Sequence, residues 1–328
     1  MTAVALVVGG QGFFGRALVK DLLDHTHARI VIAGRTRRHP LHHPRLSWKT
    51  FDLTRPSSLE GYSAVVCCAG PYQGMATTLV EAAAQAKIPY VDLADARDFI
   101  ARARTVHSSA PLMTGLSVVP GMTCLLAGRA QVGRIRTIRT FIAPGSRQPR
   151  GGATLVSLLS GIERWGYREI VRFPHPIGRR AVYRTIEVGD SDIVPDLFES
   201  AAFEFKVGFD LDLFNRGLEI LRWLRVRKIV PDPVRIRSLF SAVVRLFSGW
   251  GTDAGAVQVE VMGTQGRYSG AIVAREHGYR LPSVLAAIAV ARIIEGRLLA
   301  SGLDGWLPEV GEELSRRGMQ LVEQRTPI

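Results

Sequence analysis

Cysteine is scarce. Cys67, Cys68 and Cys124 are the only three in 328 residues, at no spacing that suits a zinc site and with no disulfide framework. The expectation is a reducing, cytoplasmic compartment. No run of about 18 uncharged apolar residues occurs, which excludes a membrane-spanning helix. The first residues, MTAVALVVGG, enter an apolar strand with no basic segment or cleavage site, so no secretory leader is expected. Lysine is also rare. Lys20, Lys49, Lys87, Lys206 and Lys228 are the only five, so arginine carries the formal net charge of +13. The arginines are spread along the chain rather than gathered beside aromatics, which argues against a nucleic-acid surface. An anionic small molecule is the partner such charge suggests. There is no G-x-S-x-G elbow for a serine nucleophile. HPLHHP at 39–44 offers His39, His42 and His43 without a carboxylate or cysteine at ligand spacing, so no metal is expected.

What is present begins with VALVVGGQGFFGRALVKDLL, residues 4–23. An apolar run passes through four glycines into a segment with apolar residues three and four apart, which reads as strand, turn and helix. Gly10, Gly12 and Gly15 spell G-x-G-x-x-G, whereas Gly9, Gly12 and Gly15 spell a wider repeat. In the first spacing Gly10 permits the tight turn, Gly12 lets the backbone approach a pyrophosphate and Gly15 lets helix close on strand. Phe13 and Phe14 open the helix, whose N-terminal amides and dipole suit phosphate. Strand and helix signals then alternate through residue 120, the pattern of a doubly wound parallel sheet. From about 135, strand-like runs dominate: IRTIRTFIA, AVYRTIEV, AFEFKVGF, AVQVEVMG and SGAIVARE, the last two joined by a GTQG hairpin signal. The expected architecture is α/β, a Rossmann-type doubly wound parallel sheet with a second α+β domain. The first domain spans 1–130 and is completed by 280–328, and the second spans 131–279.

The end of the second strand selects the cofactor. RIVIAGRTRRH has no acid where an NAD-preferring site places one on the ribose 2′-hydroxyl. Arg35 stands there instead, with Thr36 and one of Arg37 or Arg38 beside it, which suits the 2′-phosphate of NADP(H) over NAD(H). Asp52, after the third strand, is expected at the adenine pocket or as a turn cap. A short-chain reductase needs Lys four residues after a catalytic Tyr. None of Tyr62, Tyr72, Tyr90, Tyr167, Tyr183, Tyr268 and Tyr279 is so placed, which removes that mechanism and, with it, the meaning of the wider glycine spacing.

VVCCAGPYQGMATTLVEAAAQAKIPYVDLADARDF at 65–99 and GLSVVPGMTCLLAG at 115–128 together resemble the saccharopine dehydrogenase-like family of NAD(P)-dependent reductases. The opening βαβ segment, AGR at 33–35, and LPSVLAAIAVARIIEGRL followed by LPEVGEEL resemble it as well. The likeness covers the first 130 residues and, more loosely, the last 50; the middle matches only as an architecture. The resemblance implies a Rossmann domain joined to an α+β domain that binds a small-molecule substrate and forms a homodimer. It also implies hydride transfer between NAD(P)H and a C=N or related unsaturated bond.

Ligands of such sheets lie at the carboxyl ends of the strands. Three loops are expected there: Ala69, Gly70, Pro71 and Tyr72; Asp92, Asp95 and Arg97; and the turn of Pro120 and Gly121. Tyr72 is expected as a proton donor, and Asp92 or Asp95 as the group that steadies an iminium cation. Arg97, Gly121 and His277 are expected to meet substrate. Between 211 and 249 two amphipathic helices flank PDP, with Asp212, Arg216, Glu219, Arg222 and Arg225 on one stripe. They read as helices covering the second sheet or a dimer face, or as a basic surface that meets membrane or an apolar substrate. Two other functions therefore stand beside the oxidoreductase: a non-catalytic NADP(H)-binding sensor or scaffold, and a membrane-peripheral reductase.

Overall fold

Short, near-continuous apolar runs make parallel strands buried on both faces, and the first part of the chain is built from them. The computed structural model describes residues 2–37, 42–148, 154, 158–159, 162–185, 188–199, 201–230, 238, 242, 246, 249–297 and 306–327. It divides into two compact units, Met1–Met122 with Arg280–Val310 and Thr123–Tyr279 with Gly311–Ile328.

In the first unit β1 (Val4–Val8) leads through the glycine turn to α1 (Phe13–His25), then β2 (Arg29–Gly34) and β3 (Leu46–Thr50). After β4 (Ala64–Cys67) come α2 (Thr78–Ala86), β5 (Tyr90–Asp92), α3 (Arg97–Ala103) and β6 (Leu112–Met113). The strands lie parallel in the order β3-β2-β1-β4-β5-β6. This is the Rossmann order, which reverses between β1 and β4 and opens a crevice at their carboxyl ends. The late segment returns to this unit as α7 (Val284–Ile294), packed on α1, β4 and β5. Every residue from Val284 to Val290 is buried, as a helix apolar all round requires. The entry to α7 is fixed by a buried carboxylate: Asp21 of α1 accepts from Arg280 at 3.1 Å and from the Ser283 hydroxyl at 3.2 Å.

The second unit holds a seven-stranded mixed sheet. Its strands are β7 (Ile135–Ala143), β8 (Arg168–Phe173), β9 (Gly178–Thr185), β10 (Ala202–Val207), β11 (Gly255–Gly263), β12 (Gly266–Ala274) and β13 (Met319–Pro327). They are ordered β13-β12-β11-β7-β10-β9-β8. Only β7 and β10 pair in parallel; the other pairs are antiparallel. Helix α4 (Thr123–Gly128) packs on β11 and β12, and α5 (Asp190–Leu197) on β10. Helix α6 (Asp212–Val226) and α8 (Leu307–Arg316) complete the described helices.

Two boundaries differ from the sequence expectation. The division falls at Thr123 rather than 131. Residues 280–328 do not all complete the first domain, because β13 runs as the edge strand of the second sheet beside β12. Past Met319 every residue of β13 is exposed, so the strand carries little apolar alternation to announce it. β8 was likewise unannounced; it forms a hairpin with β9. The stretch after PDP, with Arg235, Leu239, Phe240, Val243, Arg245, Phe247 and Ser248, lies outside the described residues, as do Arg38 and His39. Among the described residues no helix is long and apolar enough to cross a membrane, and no group of His, Cys, Asp or Glu is placed to hold a metal.

Candidate cofactor site at the carboxyl edge of the first sheet

The glycine turn links β1 to α1 at the switch point of the sheet. Gly9 adopts φ +79° and its amide donates to the Ala33 carbonyl at 2.8 Å. A Cβ on Gly9 would stand 2.7 Å from the Ala69 nitrogen, so the turn and the segment after β4 touch backbone to backbone. A Cβ on Gly15 would stand 2.7 Å from the Gly10 Cα and closer still to the Gly9 carbonyl, so only glycine lets the helix seat on the turn. Gly12 is the N-cap of α1 and donates to the Gly9 carbonyl at 2.8 Å.

This corrects the role expected of Gly10. A Cβ there would meet side-chain methyls of Ile32, Val19 and Val7 at 3.1–3.2 Å, and its amide closes back on Val7. Gly9, not Gly10, makes the tight turn, so the wider spacing is the one the backbone uses. Phe13 and Phe14, half-buried at the mouth of α1, pack edge to face with centroids 5.1 Å apart. The first-turn amides of α1 are those a helix leaves without an intrahelical acceptor, and they carry the positive end of its dipole.

Next to that turn, β2 ends in Gly34 and is followed by Arg35, Thr36 and Arg37, all three exposed. Asp52 stands after β3. Its Oδ1 accepts from the Thr54 amide at 2.9 Å and the Thr54 hydroxyl at 2.8 Å. Those two bonds hold its carboxyl below the ordinary range, and the charges of Arg35 and Arg55 add to the effect. Asp52 therefore caps its own turn beside Arg35. A charge-assisted contact of Arg35 with the 2′-phosphate, as the sequence expects, would be worth about 1.5–3 kcal/mol and would be lost in Arg35→Ala. The expected result is NADPH binding weakened roughly ten- to a hundredfold in a calorimetric titration, with NADH within about twofold of wild type.

The segment after β4 carries Ala69, Gly70 and Pro71, with Gly70 and Tyr72 at the surface and core respectively. Tyr72 is buried. Its phenol donates to the Cys67 carbonyl at 2.7 Å and accepts from the Leu93 amide at 3.3 Å. Burial holds the phenol well above its ordinary pKa. Its single proton is directed to clamping the ends of β4 and β5 together, where the sequence expected a proton donor. Tyr72→Phe is expected to cost about 1 kcal/mol of stability and to leave the pH profile of turnover unchanged. A hundredfold fall in kcat at unchanged Tm would instead mark a proton donor.

Asp92 ends β5 and is fully buried. Its Oδ1 accepts from the amides of Ala94 at 2.9 Å and Gly115 at 2.8 Å, and the Thr114 hydroxyl donates to Oδ2 at 3.0 Å. Burial raises its carboxyl to about 6 while those bonds pull the other way. Asp92 therefore ties β5 to the turn after β6 from a buried position, where the sequence expected a chemical role. Asp95 is half-buried after β5, and Arg97 is exposed at the start of α3.

Gly121 also departs from expectation. Its amide donates to the Gly115 carbonyl at 3.1 Å, and a Cβ would meet the Leu285 side chain at 2.6 Å. It is a packing glycine under α7, where the sequence expected contact with substrate. His277 lies in the second unit, exposed after β12 with φ +55°, its ring set edge to face on Tyr279 at 5.8 Å. Cys67 and Cys124 are buried, and burial pushes the thiols of Cys67, to about 11, and Cys68 upward, so neither of those two is a ready thiolate.

Residues 5–113 match the family model of the saccharopine dehydrogenase NADP binding domain. No curated protein matches the chain. Among solved structures, a wide-type short-chain dehydrogenase/reductase from Veillonella parvula in complex with NADP is 22% identical over 28% of this chain and 47% of its own, with a TM-score of 0.25. The chain spans about half the length (47%) of the first short-chain dehydrogenase structures it matches. An engineered D-amino acid dehydrogenase bound to NADP+ is 15% identical over 94% of this chain and 99% of its own, with a TM-score of 0.44. A protein of Desulfitobacterium hafniense described as an NADPH-dependent oxidoreductase is 8% identical over 100% of this chain and 82% of its own, with a TM-score of 0.40.

Proposed function

We propose that this chain, whose residues 5–113 form an NADP-binding domain of the saccharopine dehydrogenase type, is an NADP(H)-dependent oxidoreductase acting on a C=N or related unsaturated bond. The observation that carries the reading is one edge of one sheet: a phosphate turn at the β1–β4 switch point, with an exposed arginine and no acid after β2. The resemblance of the chain to that reductase family supports C=N as the bond.

The residues present fit the cofactor. Gly9 and Gly15 keep the turn free of Cβ atoms that its backbone has no room for, and α1 points its N-terminus at the same turn. When bound, NADP(H) supplies or accepts the hydride. The amides at the start of α1 hold the pyrophosphate, and Arg35 with Thr36 takes the 2′-phosphate. The backbone of Ala69, Gly70 and Pro71 borders the nicotinamide side. Because Tyr72 and Asp92 are committed to backbone bonds, the proton of an imine substrate arrives with it, as an iminium. Asp95 steadies that cation and Arg97 meets a carboxylate of the substrate.

The test follows NADPH consumption with a cyclic imine and with a 2-oxo acid plus an amine. Turnover with NADPH, and much slower turnover with NADH, is the expected result. Tight NADPH binding with no turnover on imines or enones would overturn the enzyme in favour of a sensor. Absence of binding would overturn both.

A further inference from the structure

Helix α6 is apolar on two opposite sides. One side buries Phe214 and Leu218 together with Asn215, whose amide exchanges two bonds of 3.0 Å with the Phe209 backbone. This side accounts for why the helix sits where it does. The other side needs a different explanation. Residues about 100° apart on a helix place Leu213, Arg216, Ile220, Trp223 and Arg227 in one stripe, opposite the buried seam. Leu213, Ile220 and Trp223 are 51%, 60% and 50% exposed. So many bare large apolar side chains on one helix mark an interaction surface rather than scattered surface residues.

The charge around the stripe says what the partner is. Arg216 and Arg227 stand in the stripe, whereas Arg222 and Arg225 fall toward the buried side, where Arg225 reaches Glu163 at 3.9 Å; the helix carries two acids, Asp212 and Glu219. Glu219 accepts from the Tyr183 phenol at 2.8 Å and so is drawn toward the sheet. Asp212 is shared between Arg216 at 3.4 Å and Arg168 at 3.7 Å. The Arg227 guanidinium lies 4.0 Å over the Trp223 ring, which sets cation and indole at one level, as at a headgroup boundary. A second copy meeting this stripe would bring Arg216 and Arg227 of both chains into one interface. Like charge therefore disfavours self-association here, whereas an anionic bilayer satisfies both the apolar residues and the arginines.

We propose that α6 is a docking surface for an anionic lipid bilayer. The helix lies in the plane of the interface, with Leu213, Ile220 and Trp223 entering the acyl boundary and the arginines meeting lipid phosphates. The proposal is independent of what the first unit catalyses.

The test is flotation of the full chain with vesicles of phosphatidylcholine, alone or mixed with phosphatidylglycerol. The variants are Ile220→Ser with Trp223→Ser, and Arg216→Glu with Arg227→Glu. All four side chains are exposed, and NADPH titration of each variant checks that the chain is folded. Binding to the anionic vesicles, absent with the neutral ones, is expected. The apolar pair of changes should abolish it, and each unit of positive charge removed should weaken it about fivefold. Failure to bind anionic vesicles, or binding that survives both variants, would overturn the proposal. So would a lipid-free dimer in sedimentation that the Ile220→Ser, Trp223→Ser variant dissociates, which would assign the stripe to a second copy.

Discussion

Gly15→Ala is expected to weaken NADPH binding about a hundredfold, while Gly10→Ala changes it by less than about fivefold. The two glycines are both part of the G-x-G-x-x-G string, yet a Cβ meets different things at each. At Gly15 it meets backbone, the Gly9 carbonyl and the Gly10 Cα at 2.7 Å. The helix must then tilt away from the turn and take its first amides with it. At Gly10 it meets the ends of Ile32, Val19 and Val7 at 3.1–3.2 Å, which yield by small rotations. Gly9→Ala belongs with Gly15→Ala, because it adds a contact with the Ala69 backbone to a left-handed φ of +79°. Titration of the three variants with NADPH, each checked for fold by circular dichroism, orders them. Equal losses at Gly10 and Gly15 would contradict the turn described here.

Asp190→Asn is expected to stabilise the protein at pH 8 by several kcal/mol and to leave it nearly unchanged at pH 4. Asp190 opens α5 and is fully buried, and neither of its carboxyl oxygens has a hydrogen-bond partner among the described residues. The Thr123 hydroxyl is the polar group beside it, itself 3.4 Å from the Thr140 hydroxyl. Burial pushes the carboxyl up to about 8 from an ordinary 3.8. The native state therefore holds a proton that the unfolded chain has already released between those values. The stability this confers is complete below pH 4 and is lost as pH rises through 8, at about 1.4 kcal/mol per unit. Asparagine copies the neutral acid and has no proton to lose. Asp92, raised to about 6, contributes its own slope at lower pH in both proteins, so the informative window is pH 6 to 8. Denaturant unfolding across that window should be steep in wild type and flatter in the variant. Parallel curves would mean that Asp190 is ionised and solvated in the native state.

The first unit was largely legible in the sequence because its signals are local. Apolar runs, a glycine turn opening a helix and a missing acid after β2 all lie within a few residues of what they determine. The roles that changed depend on distant partners. Gly9 and Gly10 are neighbours in the same string, and only the approach of Ala69 shows which one makes the turn. Tyr72 reads the same whether it donates to a substrate or to a backbone; the Leu93 amide decides it. Asp92 is read as a strand-end acid until Thr114 and Gly115 arrive from β6.

The second unit was legible as a mostly antiparallel sheet with helices but not in its strand order, nor in β8 and β13. β10 already puts Glu204 and Lys206 on one face by alternation. That Lys206 is fully buried follows only from its pairing with Glu169 of β8 and with Glu204 at 3.0 Å. Asp190 gives no local signal at all, since its neighbours Ser191 and Asp192 make the segment read as a polar turn.

The proposed function rests on the carboxyl edge of the first sheet taking a phosphorylated dinucleotide. Calorimetric titration of the wild-type chain with NADPH and with NADH tests it most directly. Saturable binding of NADPH is expected, tighter than NADH by roughly tenfold or more, the difference that a charge-assisted contact to the 2′-phosphate supplies. Equal affinities, or a preference for NADH, would contradict the role given to Arg35 and the cofactor with it.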